Sequence, residues 1–175
     1  MIVLVGFMGA GKTTVGRALA ARLGLPFVDS DQAIERSLGL SIPDIFEGYG
    51  EAGFRDIEAR TIAALLEGPD AVIALGGGAV TTPQTREALR GHTVVHLAIS
   101  LEDALARVGG DAGRPVLRSP NLAAIFEARA DLYQEVATLT VSAARPARQV
   151  AREIVARLRD LGVQAVDRGD QEAGE

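Results

Sequence analysis

Five short apolar runs, each bounded by glycine, proline or aspartate, alternate along the chain with stretches of helical period. They are IVLV (2–5), PFVD (26–29), AVIAL (71–75), TVVHLAI (93–99) and TLTVS (138–142). Each has strand length, and most are rich in Val and Ile. Between them, spacings such as Val15, Ala18, Leu19 and Leu23, or Val150, Ile154, Val155 and Leu158, describe one apolar helical face. Strands that are apolar throughout, rather than on alternate residues, must be buried on both sides. That pattern predicts an α/β chain: a parallel sheet with a helical layer on each face.

Length and composition bound what such a sheet can serve. At 175 residues with 47% hydrophobic content, a single domain over 1–161 can bury its own core. The net charge of −5 is concentrated in the tail, where residues 162–175 hold Asp167, Asp170, Glu172 and Glu175 against Arg168, a sum of −3 that leaves −2 for the body. A weakly acidic body argues against a nucleic-acid surface. The absence of cysteine excludes disulfides, thiolate metal sites and cysteine nucleophiles. No basic leader and no apolar run near 20 residues is present, so the expectation is a cytoplasmic protein with no membrane span. The segment after Gly162 has no core-facing pattern and reads as a disordered acidic tail.

Two segments interrupt the alternation. Residues 30–67 carry helical patterns with no strand between them, and residues 109–121, GGDAGRPVLRSPN, form a Gly- and Pro-punctuated loop. Insertions of this kind in α/β folds commonly carry substrate sites and lids.

The stretch GFMGAGKTT (6–14) follows the first strand and opens the first helix. Gly6, Gly11, Lys12 and Thr13 meet the G-x-x-x-x-G-K-[ST] pattern in the context that pattern requires. Its backbone, from Gly9 through Ala10 and Gly11 to Thr14, can wrap a phosphate with inward N–H groups at a helix N-terminus. Lys12 is the only lysine among the 18 Lys and Arg residues. A compact ammonium on a flexible stem fits between β- and γ-phosphate oxygens, where the planar fork of arginine would crowd the loop. Thr13 is placed to ligate Mg²⁺.

Several further residues are candidates on chemical grounds. Asp29 and Asp31 close the second strand and, two apart, share one face in extended chain. Asp29 could hold Mg²⁺ through water and Asp31 could accept from a substrate hydroxyl, although Ser30 and Asp31 could equally cap a helix at 32–38. Arg55 and Glu58 are three apart on a helical stripe, consistent with a site pair or an ordinary surface ion pair. Arg129 is the i+7 member of an apolar stripe through Leu122, Ile125, Phe126, Tyr133 and Val136, so its guanidinium points inward and needs an anion. That anion is either a structural carboxylate or a substrate's. Gly76, Gly77 and Gly78 end the third strand, as a tight turn or as a close approach to a ligand. Arg114, in the 109–121 loop, is either a solvated side chain or a cation that closes over transferring oxygens. His92 and His96 have no metal-type neighbours in sequence and are assigned no function.

Taken in order, GFMGAGKTTVGRALAARLG, FVDSD, IFEGYGEAGFRDIE, LGGGAV, GRPVL and RADLY resemble the shikimate kinases over residues 2–160. The resemblance implies a three-layer P-loop fold of the nucleoside-monophosphate-kinase type, with a five-stranded parallel sheet, an acceptor-binding insertion at 30–67 and a mobile lid at 109–121. It implies transfer of the ATP γ-phosphoryl to the 3-hydroxyl of shikimate, with Mg²⁺ as cofactor, by a monomer. On matching positions, Asp31 would bind ring hydroxyls, Arg55 and Arg129 would clamp the carboxylate, and Glu58 would orient Arg55. Gly77 and Gly78 would meet the substrate through backbone N–H groups, with Gly76 beside them. Arg114 would be the lid cation, and Arg107, Arg145 and Pro146 would flank adenine. Two other readings share the phosphate loop: a kinase of another polyol acid, such as a gluconate kinase-like protein, and a nucleotide-binding module without catalysis.

Overall fold

The computed structural model describes residues 1–108 and 121–163. Arg114, the 109–121 segment apart from Asn121, and the tail beyond Val163 lie outside the described residues.

The strands form where the apolar runs stand: β1 (Ile2–Val5), β2 (Phe27–Asp29), β3 (Val72–Ala74), β4 (Thr93–Ala98) and β5 (Leu139–Ser142). They make one five-stranded sheet in the order β2-β3-β1-β4-β5, with every pairing parallel. Alternate side chains feed two cores. Ile2 and Leu4 point to one face, where they pack with Leu19 of α1 (Lys12–Leu23) and with Val150, Ile154 and Leu158 of α7 (Ala147–Asp160). Val3 and Val5 point to the other, against Ile62 and Leu66 of α3 (Ile42–Leu66) and Tyr133 of α6 (Leu122–Val136). Both faces of β1 are therefore dry, which is why its sequence shows no alternation. Filling one such position with Leu19 matters: Leu19→Ala in a fully buried site costs about 2–5 kcal/mol.

The 30–67 insertion is two helices. The first, α2 (Ser30–Leu38), is capped by Asp29, whose Oδ1 accepts from the N–H groups of Asp31 at 3.1 Å and Gln32 at 3.3 Å. Neither Ser30 nor Asp31 is the cap, and the helix starts two residues earlier than the capping alternative supposed. The second, α3, begins at the Ser41 cap with Pro43 in its first turn. It is bent at Gly50, whose φ of 69° and ψ of 177° leave the helical region and suit only glycine. Ile34, Ile45 and Phe54 form a small separate core that fastens α2 to α3. The Phe46 and Phe54 rings stack across the bend at 4.4 Å.

After β3 the chain makes a short 3-10 turn (Ala79–Thr81) and α4 (Pro83–Ala88), and α5 (Leu101–Val108) follows β4. No described helix is long and apolar enough to cross a membrane.

Candidate active site

Parallel strands end on the same edge, so the loops after β1, β2 and β3 converge there. One cleft of about 1130 Å³ opens along this edge. Its lining includes the loop Gly9 to Thr14, Asp29 and Asp31, Arg55 and Glu58, Gly76 to Gly78, Arg107, Arg129, Arg145 and Pro146, all singled out from the sequence, whereas Gly6 does not line it. The volume exceeds that of a pocket for one small ligand and suits two substrates side by side.

At the phosphate loop, Gly11 sits in the left-handed region ahead of α1, and the Lys12 ammonium donates to the carbonyls of Gly6 at 2.8 Å and Phe7 at 3.1 Å. Thr13 Oγ1 donates to Asp29 Oδ2 at 2.8 Å. Asp29 thus divides its two oxygens, one capping α2 and the other held beside the loop. A hydroxyl and a carboxylate are the hard oxygen donors that Mg²⁺ takes, and no group of three or more His, Cys, Asp or Glu stands ready among the described residues to cage a metal. That combination suits Mg²⁺ bound through few protein ligands with phosphate and water completing its shell.

Across the cleft the charges are held tightly. Ser30 Oγ accepts from Gly76 N–H at 3.1 Å, joining the ends of β2 and β3. A Cβ on Gly76 would stand 2.7 Å from Asp31 Oδ1 and 2.8 Å from Glu58 Oε1. A Cβ on Gly78 would stand 2.2 Å from an Arg55 nitrogen. Glycine at both positions lets the protein's own charged side chains lie against the backbone. Gly77 is different, since its nearest neighbour to a Cβ is Met8 N at 3.4 Å. Neither the Gly77 nor the Gly78 N–H is engaged by a hydrogen bond among the described residues.

Arg55 lies over the Phe54 ring at 5.2 Å and pairs with Glu58 at 2.5 Å. Glu58 is only 1% exposed, so the pair is no surface bridge. Burial pushes the Glu58 carboxyl above its ordinary range, opposed chiefly by Arg55. Arg129, 8% exposed, reaches over the Phe7 ring at 5.9 Å. No carboxylate of the described residues forms an ion pair with it within 4.0 Å, although its charge acts on the buried Glu58 carboxyl. At the other end of the cleft, Arg107 donates to the Gly9 carbonyl at 3.3 Å and the Ala143 carbonyl at 2.8 Å. It ties the phosphate loop to the turn that carries Arg145 and Pro146, and Arg145 pairs with Glu153 of α7.

Sequence reasoning missed several lining residues. Phe46, Phe54 and Pro43 face the cleft, yet their apolar spacing is that of any buried helix face. Ser30 was read only as a cap. His96 is buried with its ring 5.2 Å from that of Tyr133, and its pKa is lowered by burial and by Lys12.

A parallel five-stranded sheet with a phosphate loop at one end of a cleft and two guanidinium groups at the other defines the fold of a P-loop kinase. Known proteins agree. The family model described as Shikimate kinase matches residues 8–159. A shikimate kinase of Thermobifida fusca is 46% identical over 160 residues, covering 90% of this chain and 93% of that one. The solved shikimate kinase from Acinetobacter baumannii in complex with shikimate superposes with a TM-score of 0.88 at 42% identity, covering 93% of this chain and 94% of the other. A gluconokinase from Sinorhizobium meliloti shares the fold at a TM-score of 0.55 and 23% identity, with 91% of each chain covered. The chain belongs to the shikimate kinase family.

Proposed function

We propose that this chain transfers the γ-phosphoryl group of ATP to the 3-hydroxyl of shikimate, giving shikimate 3-phosphate and ADP on the route to chorismate and the aromatic amino acids. Family membership supports the reaction, and one observation of this chain carries the acceptor assignment. Arg55 and Arg129 both line the cleft beside Asp31, and Arg129 has no ion-pair partner among the described residues. A small acid bearing several hydroxyls matches that set.

Phosphoryl transfer asks little covalent chemistry of the protein, so positioning and charge stabilisation dominate. The loop N–H groups and Lys12 hold the β- and γ-phosphates. The Thr13 hydroxyl and, by way of water, Asp29 would hold Mg²⁺, which would supply charge neutralisation at the phosphates. Arg129 and Arg55 grip the carboxylate, with Glu58 setting Arg55 in place. Gly77 and Gly78 offer their N–H groups to the acceptor, and Asp31 accepts from its hydroxyls and helps activate the attacking one. Arg107, Arg145 and Pro146 flank adenine. Arg114, outside the described residues, is assigned by resemblance to the lid, where a cation would meet the transferring oxygens. The setting is cytoplasmic and the working unit a monomer.

The test is ADP release from ATP and Mg²⁺ with and without shikimate, with gluconate and other hydroxy acids in parallel. Strong stimulation by shikimate alone is expected. ATP binding with no stimulation by any acceptor would falsify the kinase reading.

A further inference from the structure

Tyr133 does not line the cleft, is 2% exposed, and takes no part in the chemistry above. Its hydroxyl nevertheless reaches 56 residues back along the chain and donates to the Gly77 carbonyl. Arg129 and Tyr133 are four apart on α6 and therefore share one face, with the guanidinium acting on the phenol by its charge. A phenol has one proton to give. That proton is committed to Gly77.

We infer that Tyr133 is a positioning residue for the acceptor site, its hydroxyl fixing the Gly77–Gly78 peptide on the α6 face that also carries Arg129. The inference rests on the proposed function, because it concerns how that acceptor is held. The peptide link is planar and trans, so the Gly77 carbonyl and the Gly78 N–H point in opposite directions from one plane. Anchoring the carbonyl on Tyr133 aims the Gly78 N–H away from α6. Accepting a hydrogen bond also polarises the peptide and strengthens its N–H as a donor. The other glycine bonds nearby do not do this: Gly76 is fixed by Ser30, and the Gly78 carbonyl accepts from Thr81.

The ring itself is immobilised. His96, on the central face of β4 where it is paired with Val5 and Thr140, lies nearly parallel to it at 25°. Burial raises the phenol well above its ordinary 10.0, against the pull of Arg129 and Arg55, so the O–H stays a donor at any working pH. A tyrosine whose only role was to fill the core would need neither the aimed hydroxyl nor the cation beside it.

Tyr133→Phe keeps the ring and its stacking and removes only the hydroxyl. In the full chain the KM for shikimate should rise about tenfold, as loss of one buried hydrogen bond gives, while the KM for ATP stays unchanged. An unchanged shikimate KM, or an equal rise in both KM values, overturns the inference. If Tyr133→Phe fails to fold, a second measurement decides. The chain has two tyrosines and no tryptophan, so in Tyr49→Phe the near-ultraviolet tyrosine spectrum belongs to Tyr133 alone. Shikimate should perturb that spectrum without nucleotide, and calorimetrically demonstrated binding with no perturbation overturns the inference. Failure of the underlying function looks different: the unaltered chain would release no extra ADP with shikimate, and the inference would fall with it.

Discussion

Arg55 and Glu58 face each other at 2.5 Å within one turn of α3, with the carboxylate almost fully buried and the guanidinium open to the cleft. An arrangement of this kind spends its electrostatics on orientation. The buried partner cannot be solvated, so it holds Arg55 in one pose against Gly78.

The pair has a pH signature. Glu58 has a folded pKa above 4.5, with burial outweighing Arg55. A raised carboxyl pKa means the native state binds the proton more tightly than the unfolded chain does. The associated stability is fully present below pH 4.5 and is lost as pH rises through the folded value. Glu58→Gln has no such titration. Denaturant unfolding of both proteins should therefore show the unaltered chain gaining on the variant as pH falls from neutrality towards 4.5, and a difference that is flat or of opposite slope counts against the burial argument.

Arg129→Ala should raise the KM for shikimate at least about 30-fold, the loss expected when one partner of a buried charged contact is truncated. The ATP requirement should change little. Equal losses for both substrates would assign Arg129 to structure instead.

Gly78→Ala places a methyl group where Arg55 now lies, 2.2 Å from its terminal nitrogen. The obstructing group is the end of a flexible side chain, so the fold should survive while Arg55 is displaced. Thermal unfolding and shikimate titration, run together, should show a folded protein with acceptor binding weakened by about tenfold or more, as loss of a charge-assisted hydrogen bond gives. Unaltered shikimate binding would show that Arg55 works equally well from another pose.

Asp29 serves both as helix cap and beside Thr13, and the two roles can be separated. Asn is as good an N-cap as Asp, so Asp29→Asn should cost only a few tenths of a kcal/mol through the cap. The Mg²⁺ concentration for half-maximal activity should nonetheless rise severalfold, because a neutral amide is a poorer partner for a hard dication. Loss of stability without a change in Mg²⁺ requirement would leave Asp29 a cap alone.

The phosphate loop, the five strands and the inward aim of Arg129 were all legible before the fold was described, because each is a matter of spacing. A sheet buried on both faces has to be apolar throughout, and i+7 on a helix returns to the same face. Other features depended on partners remote in sequence. Asp29 and Asp31 are chemically alike, and only the extra turn at Ser30 made Asp29 the cap. The triple glycine read as a tight turn or a close approach to a ligand, and nothing in its spacing signalled that Asp31, Glu58 and Arg55 lie against Gly76 and Gly78. Tyr133 looked like one more residue of an apolar stripe. Its hydroxyl has meaning only once Gly77, on another element, is within reach.

The bend at Gly50 makes α3 two rods on a joint rather than one lever. Arg55 and Glu58 ride on the rod anchored to the sheet through Ile62 and Leu66, while Pro43 and Phe46 ride on the other. A displacement of the outer rod reaches the inner one through the Phe46–Phe54 stack, one residue from Arg55. Remodelling of the outer wall of the cleft, by drift or by design, therefore leaves Arg55 in register only where that stack is kept.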